Sequence, residues 1–477
     1  MNHAVIFNFL GNLLKFLGLM MFAPLFVAVY YGESLLPFGT AIIVTGIVGV
    51  VLSRLYRVEG EWKVKEGFII VVFAWVTSAV FGSIPFMLEG VSVINSIFET
   101  MSGFTSTGDT ILVDIEAYSK SLLFWRSMTQ WIGGMGIIVL FIAIFPKLGV
   151  AGRQLFRAEA PGPMEDKLKP RIRNTAKTLW SVYIVISSLE VLALLLAGLS
   201  LYDALTHTFS TMGCGGFSPY GEGVAVFNSP LVEGIITLFM FAAGSNFALY
   251  YRTIYSDRNS LIKDEEFRAY SLIIVVLTFI LSLALWQDSY QSIFESFRYA
   301  VFQIVSISTA TGFATVDFNM WSDSAKFVLL AAMFVGGTAG SAAGGVKVVR
   351  SLLFVKLSLR ELFSLLHPRS IKPIKFNGKP VPENVILSVV SFLGLYMLLS
   401  FFTAFVLALQ GVDIVSSLTA SFATIGNIGP GFNIVGPMAN FDTIPFFGKI
   451  MLIGNMLFGR LELFTTFVLF LPEFWKE

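Results

Sequence analysis

Residues 97–112 read IFETMSGFTSTGDTIL, a short apolar segment that is followed by small hydroxyl residues, a glycine and a polar turn. Three later stretches repeat this layout: ALTHTFSTMGCGGFSPY (204–220), FQIVSISTATGFATVDF (302–318) and SLTASFATIGNIGPGF (417–432). Aligned on the glycine of T-x-G or its equivalent, they place Gly108, Gly213, Gly312 and Gly426 in register, about 100 residues apart. Such a regular period indicates one structural unit that is used four times.

The chain as a whole has the composition of a membrane protein. Of its 477 residues, 55% are hydrophobic and only 13% are charged, whereas a soluble domain usually carries about 25% charged residues. We predict ten spanning helices, because about 20 apolar residues cross a bilayer and a helix satisfies its own backbone there. They are expected near residues 5–30, 36–54, 67–89, 122–145, 177–199, 229–254, 270–287, 325–350, 384–410 and 443–471.

Four semi-apolar segments between these spans are too short to cross the bilayer, and their length is typical of re-entrant helices. They cover residues 95–104, 202–210, 292–307 and 412–422. The predicted fold is an all-α integral membrane protein in which four helix–pore-loop–helix repeats surround a pseudo-fourfold pore, preceded by two additional transmembrane helices. We assign residues 1–60 to the additional helices, and 61–160, 161–262, 263–380 and 381–477 to the four repeats.

The basic residues orient the chain. Most Lys and Arg residues lie in four groups, within residues 54–65, 147–177, 252–268 and 347–379. All four groups fall on one side of the predicted spans, and the positive-inside rule makes that side cytoplasmic, together with both termini. The four short segments then enter the membrane from outside. The groups at 147–177 and 347–379 are docking surfaces for a cytosolic partner or contacts with anionic lipid.

The four glycine loops have the chemistry of a cation pore. Backbone carbonyls can replace an ion's hydration shell, and glycine reaches the required dihedrals without a Cβ penalty. The partly negative C-terminal ends of the short helices also favour cations. We predict four filter quarters: Thr105, Ser106, Thr107 and Gly108; Thr211, Met212 and Gly213; Ala310, Thr311 and Gly312; Thr424, Ile425 and Gly426. The alternative is that these glycines only allow close helix packing.

Further motifs accompany the loops: QWIGGMGIIVL (130–140), AAGSNFALYY (242–251), GGTAGSAAGGVKVVR (336–350) and FGRLELFT (458–465). Together they resemble the Trk/Ktr/HKT superfamily of potassium-translocating subunits over essentially the whole chain. The two additional helices make the chain similar to the bacterial TrkH branch rather than the shorter KtrB branch. The resemblance implies a potassium-permeable homodimer in the inner (cytoplasmic) membrane, which transports K⁺ and works with a cytosolic nucleotide-binding ring of the RCK type, similar to TrkA.

The resemblance also bears on selectivity. A serine at the first filter glycine is associated with sodium preference in plant relatives, and all four aligned positions here are glycine, which resembles the potassium-selective pattern. Asp109 and Cys214 directly follow two of these glycines and are not typical of the family. Asp109 either adds a negative charge at the outer mouth or is a solvated loop residue.

A glycine-rich run in the third repeat is a candidate gate. It contains Gly336, Gly337, Gly340, Gly344 and Gly345 and ends at Lys347. Glycines four residues apart usually mark tight helix packing, but the run also has poor helix propensity. The resemblance implies an intramembrane loop below the filter that blocks the pore and moves on gating, with Lys347 at its cytoplasmic end.

Arg460 lies inside an otherwise apolar span, where a charge is a functional hypothesis by default. The resemblance places it at the pore below the filter, as an electrostatic barrier to cations; a structural ion pair or snorkelling is the alternative. Glu462 points to a different helix face and is a poor partner for Arg460. Four other carboxylates are expected to cap the short helices, namely Glu99, Asp203, Glu295 and Asp413.

Several other function classes fit the sequence less well. One cysteine and three scattered histidines offer no disulfide, metal or catalytic cluster, which argues against an enzyme and against an organic cofactor. The net charge of +1 gives no indication of nucleic acid as a partner. The four repeats share one orientation, unlike the inverted repeats of many secondary transporters. A potassium symporter coupled to protons or sodium on the same scaffold stays open as the alternative to a channel.

Overall fold

Helices make up most of the chain that the computed structural model describes, which is residues 2–56, 64–136, 172–370 and 372–476. Parts of three sequence features lie outside these ranges: the end of the 122–145 span, most of the basic group at 147–177 and the last residues of the 130–140 motif. Within them, one short antiparallel hairpin pairs Lys375–Phe376 with Lys379–Pro380. The predicted all-α membrane fold is therefore confirmed.

The two additional N-terminal spans precede the repeats as predicted. The first consists of α1 (His3–Met20) and α2 (Phe22–Tyr31), and the second is α3 (Leu36–Leu55). The first helix packs closely on the third, since a methyl group added to Gly11 would lie 2.8 Å from the Gly49 carbonyl oxygen. Small residues of this kind let helix backbones approach in a membrane.

Repeats one and two follow the predicted order of helix, short helix, helix. The first repeat contains α4 (Val64–Gly82), α5 (Ile84–Leu88), α6 (Val93–Phe104) and α7 (Lys120–Gly134). The second contains α8 (Ile172–Leu196), α9 (Leu201–Gly213), α10 (Pro230–Ala243) and α11 (Phe247–Tyr255), and the short α12 (Ser260–Lys263) follows it. The helices α6 and α9 are the pore helices of these repeats.

Repeats three and four have the same order. The third contains α13 (Glu265–Asp288), α14 (Ile293–Ser308), α15 (Asp323–Met333) and α16 (Val348–Leu366). After the hairpin, the fourth contains α17 (Glu383–Leu409), α18 (Ile414–Gly426) and α19 (Phe446–Arg460), followed by α20 (Phe464–Phe467) and α21 (Pro472–Trp475). The pore helices are α14 and α18. The repeat boundaries at residues 61, 161, 263 and 381 stay predictions.

The first and second long helices of a repeat differ in continuity. Among the described residues, six segments are long and apolar enough to span a membrane: His3–Tyr31, Leu36–Leu55, Lys65–Leu88, Ala176–Leu196, Glu265–Asp288 and Glu383–Leu409. They comprise the two additional spans and the first helix of every repeat. In repeats two and four the second helix is bent instead, by 90° between α10 and α11 and by 111° between α19 and α20.

Three of the predicted spans are not single continuous helices. The predicted spans over 229–254 and 443–471 are each a bent pair of helices, because the chain turns at Gly244 and again after Arg460. A continuous helix over 325–350 is wrong, because α15 ends at Met333 and no helix covers residues 334–347. Asn246 caps the new helix after the first turn by accepting a hydrogen bond from the Ala248 N–H at 2.9 Å. After Arg460, Glu462 and Leu463 both have positive φ, of 57° and 38°, so helix α19 ends there. The total of ten spans stays a prediction.

Candidate ion pore and intramembrane loop

All four pore helices end in the same backbone motif. The residue after the last turn has a left-handed conformation, with φ between 48° and 55°, at Ser106, Cys214, Ala310 and Asn427. In the first repeat the Ser106 N–H bonds to the Gly103 carbonyl at 3.0 Å, and the Thr107 N–H bonds to the Ser102 carbonyl at 2.8 Å. The same pair of bonds recurs in the other three repeats. This cap satisfies the orphan carbonyls of a helix end.

Two residues beyond each cap comes a glycine that also has positive φ. These glycines are Gly108 (89°), Gly216 (75°), Gly312 (82°) and Gly429 (103°). The sequence alignment is therefore right in repeats one and three but three residues early in repeats two and four. The structure aligns T-S-T-G (105–108) with G-C-G-G (213–216), T-A-T-G (309–312) and G-N-I-G (426–429).

The error in register has a physical cause. The triplets Thr211–Gly213 and Thr424–Gly426 form the last turns of α9 and α18, which run beyond their predicted ends at residues 210 and 422. Gly213 and Gly426 are thus helical, as are Met212 and Ile425. The Thr211 and Thr424 hydroxyls donate to helix carbonyls four residues earlier, both at 2.8 Å. The second glycines, in G-G (215–216) and G-P (429–430), were the available signal.

The four glycine loops touch one another in a closed ring. A methyl group added to Gly108 would overlap the Gly215 oxygen, and one added to Gly216 would overlap the Thr311 oxygen. On Gly312 the methyl would lie 2.6 Å from the Ile428 oxygen, and on Gly429 it would lie 3.3 Å from the Thr107 oxygen. Each loop therefore faces a carbonyl of the next repeat, and the fourth loop faces the first. Only glycine leaves this space at positive φ.

Side chains that the sequence analysis did not single out hold this ring. The Asn427 amide donates to the Thr107 hydroxyl at 2.8 Å and so joins repeat four to repeat one. The Gln130 amide donates to the Gly215 oxygen at 2.7 Å and accepts from the Phe217 N–H at 3.0 Å. Gln130 lies in the quoted 130–140 motif, but its partner lies 85 residues away and no local pattern indicates it.

A buried ion pair braces the first loop from behind. Glu99 lies in the middle of α6, is fully buried and pairs with Arg126 at 2.6 Å. It also accepts the Ile111 N–H at 2.8 Å, while Arg126 donates to the Ser218 carbonyl at 2.8 Å. The prediction that Glu99 caps its helix is therefore wrong. Hydrogen bonds to both Glu99 oxygens and to two guanidinium nitrogens of Arg126 offset the loss of hydration of the buried charges.

The other three predicted capping carboxylates do lie at helix starts. Asp413 is the N-cap of α18 and accepts the Ser416 N–H at 3.0 Å. Asp203 is in the first turn of α9 and accepts from the hydroxyl of the N-cap Ser200 at 2.7 Å. Glu295 is exposed in the first turn of α14. Carboxylates at these positions complement the helix dipole.

A vestibule of about 610 Å³ opens on one side of the ring, lined by Gly108, Gly216, Gly312 and Pro430 among others. Tyr220 lies on its wall, where burial and then a hydrogen bond to Asp203 raise the pKa of Tyr220 to about 12. Asp109 also lines the vestibule. It is only 1% exposed, and neither of its carboxylate oxygens has a hydrogen-bond partner among the described residues. The interpretation of Asp109 as a solvated loop residue is therefore wrong.

On the opposite side of the ring lies the glycine-rich run, here called the intramembrane loop (residues 334–347). It contains no helix, so tight helix–helix packing does not explain its glycines. Positive φ occurs at Gly336 (68°), Gly340 (80°), Gly345 (77°) and Lys347 (69°). Gly337 and Gly344 instead pack closely on backbone, against the carbonyls of Gly244 and Gly426 respectively.

The intramembrane loop is attached directly beneath the ring. The Gly345 N–H donates to the carbonyl of Gly426, the last residue of pore helix α18, at 2.6 Å. The Thr338 and Ala342 N–H groups donate to the Gly244 and Ala243 carbonyls, at the bend after α10. The loop therefore bridges two of the four repeats just below their pore helices.

Arg460 contacts the loop from the fourth repeat. Its guanidinium donates to the Ala342 carbonyl at 3.0 Å and to the Gly133 and Gly134 carbonyls, at the end of α7, at 2.5 and 2.8 Å. This side chain thus connects the loop to the first repeat. Glu462 pairs with Arg350 of α16 at 2.5 Å.

Two charged residues attach the loop to α16 and α13. Lys347 is buried, donates to the Ala343 carbonyl within the loop and directly precedes the first residue of α16, so it marks the loop's end as predicted. Glu266, at the start of α13, accepts the Ala339 N–H at 2.8 Å and the Val349 N–H at 3.0 Å through one carboxylate oxygen. The sequence analysis did not identify Glu266.

Comparisons with known proteins agree with this architecture. The family model TrkH, described as a cation transport protein, matches residues 38–477. The Trk system potassium uptake protein TrkH of Salmonella typhimurium is 39% identical over 100% of both chains, and the Trk system potassium uptake protein TrkG of Escherichia coli K12 is 33% identical over 99% of both. The crystal structure of the potassium transporter TrkH from Vibrio parahaemolyticus superposes with a TM-score of 0.90 at 37% identity, covering 100% of both chains.

These proteins are named as transporters and not as enzymes, in agreement with the sequence prediction. The family model covers the four repeats and nearly all of the second N-terminal span, α3. The chain belongs to the TrkH family of cation transport proteins.

Proposed function

We propose that this chain takes up potassium ions through a pore along the axis of its four repeats. The observation that carries the proposal is the closed ring of four glycine loops, in which each loop faces a carbonyl of the next. The names of its relatives support potassium as the ion. The ion is the transported substrate, and the pore requires no further cofactor.

The proposed filter consists of the loop residues in the corrected register. Carbonyls near Thr107 and Gly108, Gly215 and Gly216, Thr311 and Gly312, and Ile428 and Gly429 replace the hydration shell of the ion. The four pore helices end at the ring and add their partly negative C-terminal ends. Thr211, Met212, Thr424 and Ile425 support these loops from the helix side. Glycine at all four ring positions fits potassium preference.

The intramembrane loop and Arg460 form the proposed gate. The loop lies directly beneath the ring, and Arg460 adds a positive charge where it joins the loop to the first repeat. A positive charge close to the permeation path repels cations strongly, because the surroundings screen it less than bulk water does. Conduction then requires that the loop and Arg460 move aside together.

Arg460→Ala is expected to raise cation flux roughly tenfold or more, since it removes both the charge and one anchor of the loop. The measurement is potassium flux from liposomes that contain equal amounts of folded protein. Arg460→Lys is the matched variant, because it keeps the charge without the planar guanidinium. A lysine variant that conducts like the alanine variant would contradict the electrostatic barrier, and loss of folded protein in both would indicate a structural role.

Asp109→Asn is expected to leave conductance nearly unchanged at low and at high ionic strength, because a buried carboxyl group without a hydrogen-bond partner in the described part of the chain favours its neutral form. Single-channel or liposome conductance at the two salt concentrations provides the test. Asp114→Asn, which alters an exposed carboxylate in the same outer segment, is the control. A conductance that falls in Asp109→Asn at low salt but not at high salt would instead show that Asp109 is a charge at the mouth.

The proposed assembly is a homodimer in the inner (cytoplasmic) membrane, with a cytosolic RCK-type nucleotide-binding ring as partner. Both termini are proposed to be cytoplasmic. The Asn2 N–H bonds to Glu66 at 2.7 Å and the Lys65 amine bonds to the Lys476 carbonyl at 2.5 Å, so both termini lie beside the start of α4. The basic residues at 347–379 support a docking surface or a lipid contact on this side.

Flux without any other ion gradient tests the proposal against the symporter. Liposomes with a potassium gradient, but no proton or sodium gradient, are expected to lose potassium passively through the purified chain. A requirement for a proton or sodium gradient would favour symport. Glu190, which is fully buried within the α8 span, would then be the first candidate for a proton carrier, because buried carboxylates mark proton paths.

A further inference from the structure

Three consecutive carboxylates at the start of α13 contact three separate parts of the chain. We call Asp264, Glu265 and Glu266 the acidic joint. Carboxylates are common at a helix start, and Asp264 does cap α13 by accepting the Phe267 N–H at 2.9 Å. Capping explains one oxygen of Asp264, whereas the remaining contacts of the joint reach residues more than 70 positions away.

The inner contact of the joint is with the intramembrane loop. Glu266 is 5% exposed. One of its two carboxylate oxygens accepts hydrogen bonds from the N–H groups of Ala339, in the middle of the loop, and Val349, in the first turn of α16. Both N–H groups depend on this one oxygen as their hydrogen-bond acceptor. The position of the loop is therefore tied to the start of α13.

The outer contact of the joint is with the hairpin at residues 375–380. The Asn377 side chain accepts the Glu265 N–H at 2.8 Å and donates to Asp264 at 2.9 Å, and the Asn377 N–H donates to Glu265 at 2.9 Å. Lys356 of α16 donates to Glu265 and to the Lys375 carbonyl. The hairpin, α16 and α13 are thus connected through one cluster.

The hairpin is accessible to a partner protein. Its tip residues Asn377, Gly378 and Lys379 are exposed, and it lies within the basic group at 347–379. A partner surface that carries acidic side chains fits this charge. Displacement of the tip would pull on Asp264 and Glu265, and the next residue, Glu266, holds the loop.

We propose that the acidic joint transmits movement of the exposed hairpin to the intramembrane loop. The inference rests on the proposed function only where it calls that loop a gate. Spatial continuity alone does not establish coupling, so the claim has to be measured as non-additivity between the two ends of the joint.

Hydrogen exchange at the Ala339 and Val349 amides, in the full-length protein in liposomes, reports on the joint without reference to flux. Glu266→Ala is expected to accelerate exchange at both amides roughly tenfold, because it removes the acceptor of both hydrogen bonds. Asn377→Gly removes the side-chain contacts at the hairpin yet suits the φ of 47° there. It is expected to accelerate the same two amides roughly threefold.

Two comparisons make the experiment decisive. Asp257→Ala breaks the exposed Asp257–Lys263 pair nearby and should leave both amides unchanged. In the double variant, the effect of Asn377→Gly should disappear, since the path through Glu266 is already weakened. Unchanged exchange in Asn377→Gly, or fully additive effects in the double variant, would overturn the proposal. Faster exchange without higher flux would support the joint and contradict the gate.

Discussion

Gly216→Ala is expected to abolish potassium-selective flux, with a loss of more than about 100-fold, equivalent to about 3 kcal/mol. The residue has a φ of 75°, which disfavours any side chain, and the new methyl group would overlap the Thr311 carbonyl oxygen of the next loop. That oxygen is one of the proposed ion ligands, so relief of the overlap distorts the filter itself. Potassium and sodium flux from liposomes is the measurement.

Two further glycines provide controls for this variant. Gly234→Ala, in α10 of the same repeat, places its methyl group in open space and should conduct normally. Gly213→Ala tests the corrected register, because its methyl group would press on the Gln130 carbonyl outside the ring. We expect that variant to lose thermal stability while the folded fraction keeps its selectivity. Normal selectivity in folded Gly216→Ala would contradict the ring.

Deletion of residues 338–343 is expected to raise basal flux by roughly 10- to 100-fold, as if one or two strong hydrogen bonds of the closed state were lost. The deletion removes the backbone partners of Gly244, Glu266 and Arg460 in one step. The two ends of the deleted segment lie close together, since a methyl group on Gly337 would lie only 2.5 Å from the Ala343 Cβ.

The matched control for the deletion replaces residues 338–343 with six glycine and serine residues, which keeps the length of the loop. Flux is measured on the chain alone, without a cytosolic partner. A raised flux in the deletion but not in the replacement would show that loop volume closes the pore, and a rise in both would show that the specific contacts do. A folded deletion with unchanged flux would contradict the gate.

Amino-acid composition and the fourfold sequence repeat predicted most of the architecture. Apolar length distinguishes the first helix of every repeat from the short pore helices, because crossing a bilayer sets a minimum length. The same criterion missed the bends after Ala243 and Arg460, since an apolar segment has the same composition whether it is straight or folded back. Glycine-rich composition did predict the loop at 334–347, where backbone freedom is concentrated in one place.

The presence of four glycine loops was predictable from the sequence, but their register was not. A T-x-G triplet fits the last turn of a helix as well as a filter loop, so the sequence alone could not distinguish Gly213 from Gly216. Residues that act through distant partners were also missed: Gln130 and Glu266 bond to atoms more than 70 residues away. Asp109 was noticed only because it departs from the family pattern, and its burial emerges from the folded loops.

The reversal potential with potassium on one side of a bilayer and an equal concentration of sodium on the other tests the central claim most directly. The purified full-length chain is reconstituted alone, and the loop deletion serves if the closed gate leaves too little current. If the ring of four glycine loops replaces the hydration shell of potassium, the reversal potential is displaced well toward the potassium equilibrium potential. A reversal potential near zero would contradict a potassium-selective filter at Gly108, Gly216, Gly312 and Gly429.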